Sequence, residues 1–155
     1  MTRDNAAARG CGAAMKCASR LSVVLVLAAC AVAPKPDQGL GGLWTLRIRD
    51  LNHREVSVAT IRFTGEAAPS CMAGNWKRVI VESITATDEK FFPLSDPLSY
   101  TIEGSDVIVG RNEVCDGYLR LHGNLEGGKI HGPYDTFSKG GGEVLGDFTL
   151  DRNGR

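Results

Sequence analysis

Trp44-Thr45-Leu46-Arg47-Ile48-Arg49 is the stretch of the sequence that decides the fold. Apolar and polar residues alternate along it, which is the pattern of a β-strand with one buried face and one face in water. Gly146-Asp147-Phe148-Thr149-Leu150 repeats this pattern near the other end of the chain. Two amphipathic strands at the two ends of a domain can pair with each other and close a sheet into a barrel, which leaves no exposed edge.

The residues between these two strands form further short β-segments separated by turn residues. The predicted segments are 44–49, 56–63, 76–81 with a continuation at 83–86, 98–102, 107–109, 118–125, 129–137 and 144–150. The apolar residues Val56 and Val58 stand at even positions, whereas Ile61 and Phe63 stand at odd positions. This change of parity predicts a β-bulge around Ala59-Thr60. About eight strands with mostly short loops are typical of an antiparallel meander. We therefore predict an all-β domain over residues 43–155, an up-and-down β-barrel, with a Greek-key β-sandwich as the alternative.

Gly42-Leu43-Trp44 matches the Gly-x-Trp pattern found near the first strand of small calycin-type barrels, the lipocalin and avidin architecture. The chain resembles these barrels in this tripeptide, in strand number and in length. The resemblance implies that Trp44 plugs the closed end of the barrel.

Residues 16–30 have the three parts of a secretory leader in order. Lys16 and Arg20 are basic, 21–27 are apolar, and small residues precede Cys30. The apolar run is too short to span a bilayer permanently. Its end, Leu27-Ala28-Ala29-Cys30, resembles the lipobox of bacterial lipoproteins, in which a signal peptidase recognises the first three residues and the cysteine carries acyl chains. The resemblance implies a signal peptide at 1–29 and a lipidated Cys30.

The region around the lipobox fixes two further expectations. The Ala/Gly-rich residues 1–14 include an acid, Asp4, so Met15 is the expected true start of the leader. Residues 30–42 contain two prolines and three glycines without a hydrophobic period, which predicts a flexible linker between the lipid and the domain. In bacterial lipoproteins, an aspartate directly after the lipidated cysteine retains the protein in the inner membrane. Ala31 follows Cys30 here, so we expect a lipid-anchored protein of the bacterial outer membrane, facing the periplasm.

Five cysteines are present, and three of them are accounted for by the leader and the lipid: Cys11, Cys17 and Cys30. The remaining pair, Cys71 and Cys115, lies in a compartment that permits disulfides, so we predict that they are bonded; two free buried thiols are the alternative. Neither has a second Cys or a His at zinc-ligand spacing, so no metal site is predicted here.

The charge of the chain argues against nucleic acid as a partner. Residues 1–29 hold four bases and one acid, so the rest of the chain carries 14 bases and 17 acids, a net charge of −3. No basic block occurs in it, whereas phosphate binding needs clustered Lys and Arg.

No motif in the sequence predicts an enzyme or a cofactor. There is no Gly-x-Ser-x-Gly elbow, and the glycines at 140–142 precede no helix that would receive a phosphate. A two-residue turn at Glu126-Gly127 would place His122 and His131 opposite each other on the outer face. Neighbouring cations disfavour a metal ion there, so an ordinary cross-strand pair is expected.

The aromatic residues are where a binding function is expected. Inward-facing aromatic side chains in a small barrel either fill it or line a ligand cavity. Trp44 and Trp76 are the candidate ligand-binding residues, because each indole offers a large apolar area and one donor. We expect a membrane-anchored protein that binds a small hydrophobic ligand or an envelope partner. The alternatives are an inhibitor of a periplasmic hydrolase and a structural accessory of an outer-membrane assembly.

Overall fold

The computed structural model describes residues 39–111, 113–115 and 117–154. They form eight strands, β1 (Leu43–Asp50), β2 (Glu55–Ala67), β3 (Lys77–Ala86), β4 (Leu98–Glu103), β5 (Asp106–Gly110), β6 (Tyr118–Glu126), β7 (Lys129–Phe137) and β8 (Val144–Arg152). Each strand pairs antiparallel with its neighbours in the chain, and β8 pairs with β1 to close the barrel. The prediction of an all-β up-and-down barrel is confirmed, and the Greek-key sandwich is wrong. No helix that could span a membrane occurs among the described residues.

The first and last strands close the barrel in the predicted way. Leu46 pairs with Leu150, and Ile48 pairs with Phe148. All four side chains are at most 1 % exposed, because they share the inward face of the closed sheet. The amphipathic alternation of these two strands therefore determines which of their faces is buried and that they pair with each other.

The bulges at the level of Ala59-Thr60 lie in a different strand from the one predicted. The β2–β3 register shifts between Val58 and Ala59 and again between Thr60 and Ile61. In both places β3 carries the extra residue, which is Thr85 at the first shift and Glu82 at the second. The inward face of β2 keeps one parity throughout, formed by Ser57, Ala59, Ile61 and Phe63. An extra residue bends the strand that carries it, so the bend falls on β3.

Two segments close the ends of the barrel. Trp44, with Leu40 beneath it, closes the end at which the described chain begins, and both residues are fully buried. The opposite end is covered by the capping loop, residues 87–97, which inserts the buried side chains of Phe92 and Leu94. The ring of Phe92 meets Tyr134 edge-on, at 5.5 Å between ring centroids. Burial raises the pKa of the Tyr134 hydroxyl. It remains protonated and donates to the carbonyl of the capping loop at Phe91.

The predicted disulfide is present. Cys71, in the loop between β2 and β3, is bonded to Cys115, in the loop between β5 and β6, with 5.3 Å between the Cα atoms. The alternative of two free thiols is therefore wrong. The bond joins two loops that the sheet itself leaves separate.

Glycines let neighbouring strands approach closely where the barrel coils. A Cβ atom at Gly132 would lie 2.0 Å from the carbonyl oxygen of His122 on β6. A Cβ atom at Gly146 would lie 1.9 Å from the carbonyl oxygen of Arg49 on β1. Both distances are far below any carbon–oxygen contact, so a side chain at either position forces the strands apart.

We expect Gly132→Ala to lower the free energy of unfolding by about 3 kcal/mol, because the backbone must move to accept the methyl group. Gly140→Ala is the matched control, because its Cβ would meet only the Ser138 hydroxyl oxygen, at 3.9 Å. Urea unfolding of both variants measures the difference. Equal stability of the two would contradict the close approach of β6 and β7.

Candidate functional site

The Trp44 side chain is fully buried and contacts three neighbours in the protein. Its Nε1 donates to the carbonyl oxygen of Leu40 at 3.2 Å. Phe63 meets its ring edge-on, with 5.8 Å between centroids, and the Arg152 guanidinium lies 4.9 Å from the ring centroid. The indole thus plugs the barrel end, as the resemblance to calycin barrels implies.

Trp76 lies in a different place. It precedes β3, is 5 % exposed and is not part of the core cluster that contains Trp44. Its Nε1 donates to the carbonyl oxygen of Ala73 at 3.0 Å, within its own loop. The structure therefore does not bring the two predicted ligand-binding residues together in one cluster.

Aromatic side chains occupy the interior next to Trp44. The rings of Phe63 and Tyr100 meet edge-on at 4.9 Å between centroids. The Tyr100 hydroxyl donates to the carbonyl oxygen of Thr64 at 2.7 Å, which satisfies its donor. Edge-to-face packing of this kind stabilises a filled core.

The barrel wall opens sideways between β3 and β4. The two strands pair only through Lys77 with Tyr100, Arg78 with Ser99 and Val79 with Leu98. After Val79 the bulged β3 continues for seven residues, to Ala86, beside the capping loop instead of a strand. The ladder stops there because Val79 pairs with Leu98, the first residue of β4, and the residues before Leu98 belong to the capping loop.

A groove of about 590 Å³ lies in this opening, and we call it the side groove. Its floor is apolar, formed by Val79, Val81, Ile84, Leu94 and Leu98. Its rim is formed by Pro97 and by five polar residues, Arg78, Glu82, Ser83, Ser95 and Asp96. Binding pockets for small molecules typically measure about 300–1,000 Å³ and combine an apolar lining with a few polar groups.

The floor of the side groove continues into the core. Leu94 and Leu98 are at most 3 % exposed and belong to the core cluster, and Val81 packs against it. Ile84 pairs with the buried Ala59 and so shares the inward face of the sheet. It is nevertheless 44 % exposed, because no strand covers it on the β4 side. An inward-facing isoleucine with this exposure marks apolar surface that a ligand can cover.

One ion pair lies on each side of the side groove. The Nε of Arg62 lies 2.6 Å from a carboxylate oxygen of Glu82 on the β3 side. On the opposite side, Arg111 Nη1 lies 3.0 Å from Asp96 Oδ2.

Glu89 holds the turn of the capping loop next to the groove. The Ser95 hydroxyl donates to Glu89 Oε2 at 2.7 Å, and the Thr87 hydroxyl donates to Oε1 at 2.9 Å. These two bonds, that of Ser95 first, hold the pKa of the Glu89 carboxyl below its usual value, and the carboxylate remains a fixed acceptor at neutral pH.

The histidine pairing predicted from the sequence is wrong by two residues. The turn between β6 and β7 is Gly127-Gly128, so His131 pairs with Asn124 and not with His122. A two-residue shift keeps every side chain on its face, so both histidines still point outward. His122 instead lies 3.0 Å from Asp106 Oδ2, measured from its Nε2. Within residues 39–111, 113–115 and 117–154, no three His, Cys, Asp or Glu residues are placed to hold a metal ion.

A second cavity, of about 480 Å³, lies on the outer wall of the barrel across β1, β7 and β8. Ion pairs stand at both of its ends. Lys129 Nζ is 3.1 Å from Asp151 Oδ1 at one end. Arg49 Nε is 2.9 Å from Asp147 Oδ1 at the other. The two apolar side chains that line this cavity, Ile130 and Phe148, are at most 1 % exposed, whereas Ile84 in the side groove is 44 % exposed. The side groove is therefore the stronger candidate site.

The sequence did not reveal the side groove, although two signals of it are present. Glu82-Ser83 interrupts the alternation that Val79 and Val81 begin, and this interruption is the bulge. The segment before β4 also contains four apolar residues, although a solvent-exposed loop needs none: Phe91, Phe92, Pro93 and Leu94. The predicted lipidation residue Cys30 and the recognition residues Leu27, Ala28 and Ala29 lie outside the described residues.

Comparison of the chain with known protein families, with curated proteins and with solved structures finds no match.

Proposed function

We propose that this protein is a lipid-anchored binding protein of the bacterial cell envelope, without catalytic activity, whose barrel holds a small hydrophobic or amphipathic molecule in the side groove. The observation that carries the proposal is the exposed, inward-facing Ile84 on a floor continuous with the buried core. Apolar surface of this kind gains free energy when a ligand removes it from water. The polar rim leaves room for a headgroup that stays in contact with water.

The position of the groove also favours a small molecule over an added strand from a partner protein. A partner strand needs a regular row of backbone donors and acceptors along the edge. The open edge of β3 contains both bulge residues, Glu82 and Thr85, which break that row. Bulges and charged side chains are devices by which native edges avoid pairing with other chains.

Ile84→Glu is expected to weaken binding of N-phenyl-naphthylamine, a neutral dye that fluoresces in apolar sites, by about tenfold or more, because a charge replaces part of the apolar floor. Fluorescence titration measures the affinity. Leu51→Glu is the matched control, since Leu51 is 66 % exposed in the turn between β1 and β2, away from the groove. Equal affinity of the Ile84→Glu variant and the wild type would refute the groove as the binding site.

Cys30→Ala is expected to release the protein from the membrane into the soluble periplasmic fraction, because acyl chains are what hold such a domain on a bilayer. Wild-type protein should fractionate with the outer membrane. Cys17→Ala controls for loss of a leader cysteine and should leave attachment unchanged. A Cys30→Ala protein that is still wholly membrane-bound would exclude the anchor, and wild-type protein in the inner membrane would exclude the destination.

A further inference from the structure

We propose that the side groove selects amphiphiles whose headgroup donates hydrogen bonds and carries no negative charge, an inference that rests on the proposed function of the groove. A glyceride, a glycolipid or a long-chain amine has this chemistry, whereas a free fatty acid does not.

Three of the five polar residues on the rim of the side groove, Glu82, Ser95 and Asp96, offer hydrogen-bond acceptors to a ligand. Glu82 and Asp96 line it, and an ionised carboxylate can only accept. The Ser95 hydroxyl donates its hydrogen bond to Glu89, so only its lone pairs remain for a ligand. A headgroup with hydroxyl or ammonium donors matches this set, and a carboxylate or phosphate headgroup does not.

The cations around the groove are already engaged with carboxylates. Arg62 pairs with Glu82, and Arg111 pairs with Asp96. Arg78 is the cation that lines the groove itself, and its Nε lies 3.6 Å from Glu66 Oε2.

A further carboxylate, Glu113, lines the small adjoining cavity together with Arg78. An anionic headgroup would have to displace one of these carboxylates from its arginine or lie beside it. Like charges brought together across an interface are unfavourable and so set specificity.

The apolar part of the ligand and its headgroup then have separate places. The chain would cover Val81, Ile84 and Leu94 on the floor, while the headgroup would lie at Glu82 and Asp96. These two carboxylates stand on opposite sides of the groove, on β3 and in the capping loop. A polyol headgroup has enough donors to reach both.

Three amphiphiles with the same lauryl chain test the inference: glycerol monolaurate, dodecylamine and laurate. Each is titrated at neutral pH against the protein with N-phenyl-naphthylamine bound, below the concentration at which it forms micelles. We expect glycerol monolaurate and dodecylamine to displace the dye at concentrations about tenfold lower than laurate. Displacement by laurate at an equal or lower concentration would overturn the headgroup inference and leave the proposed function standing. No displacement by any of the three would overturn both.

The acceptor rim is tested by the double variant Glu82→Gln, Asp96→Asn. Each ion pair is partly exposed, so the fold should tolerate the change. We expect the preference for glycerol monolaurate over laurate to fall by about threefold or more, because two negative charges leave the rim. Glu103→Gln, at the exposed last residue of β4, is the matched control and should keep the full preference. An unchanged preference in a double variant that still binds both ligands would overturn the inference.

Discussion

Trp44→Ala is expected to lower the free energy of unfolding by about 4 kcal/mol, which is a large part of the stability of a small domain. The substitution removes a fully buried indole and leaves the Leu40 carbonyl without its donor. It also takes away the ring on which Phe63 and Arg152 pack. Urea unfolding followed by circular dichroism measures the loss.

Two variants separate the contributions at this barrel end. Trp44→Phe keeps most of the apolar volume but loses the donor, so we expect a loss of about 1–2 kcal/mol. Leu43→Ala, at a 42 % exposed neighbour, should stay within about 0.5 kcal/mol of the wild type. A Trp44→Ala protein as stable as the Leu43→Ala protein would show that the indole does not plug the barrel.

Removing the disulfide with Cys71→Ser is expected to cost about 4 kcal/mol. The bond joins residues 44 positions apart, and in the chain-entropy model a loop of that length restrains the unfolded chain by this amount. Because Cys71 and Cys115 form one bond, the double variant Cys71→Ser, Cys115→Ser should be no less stable than either single variant. Urea unfolding with and without reductant measures these differences.

Reduced wild-type protein is the control for the serine substitutions, since it lacks the bond but keeps both side chains. It should unfold at the same urea concentration as the double variant. Alkylation of both cysteines in unreduced, denatured protein, detected by mass spectrometry, would refute the bond. Reduced and oxidised proteins of equal stability would refute its energetic role.

The closed barrel could be predicted from the sequence because two-residue periodicity sets the face of every strand. Trp44, Leu46 and Ile48 alternate without interruption, and Phe148 and Leu150 do the same at the other end. A sandwich would also bury both apolar faces, but pairing of these strands with each other removes both edges as well, which favours the closed barrel.

The register of neighbouring strands was harder to predict from the sequence, because the turn residues allow more than one position for the turn. Both Glu126-Gly127 and Gly127-Gly128 can form a two-residue turn. Either choice leaves Leu121 and Ile130 buried, so the hydrophobic pattern cannot discriminate between them. The position of His131 relative to His122 depended entirely on this choice.

The side groove was missed for a related reason. The parity change between Val58 and Ile61 predicted a bulge in β2, but β2 keeps one inward parity and the extra residues, Glu82 and Thr85, lie in β3. The sequence also does not show that β4 begins opposite Val79, which leaves the rest of β3, to Ala86, without a partner strand on that side. This opening in the wall is evident only once both strands are in place.

Closure of the barrel by β1 and β8 also constrains how the chain can fold. The Thr45 hydroxyl donates a hydrogen bond to Asn153 Oδ1, 108 positions away in the sequence. The paired residues of β1 and β8 are separated by similar distances along the chain. Contacts this distant in the chain make folding slow, on the order of milliseconds to seconds for β-barrels. Until the last strand has been synthesised, β1 lacks its second neighbour. The incomplete chain therefore presents β1 and the growing sheet as open edges, and it is at this stage that protection by chaperones matters most.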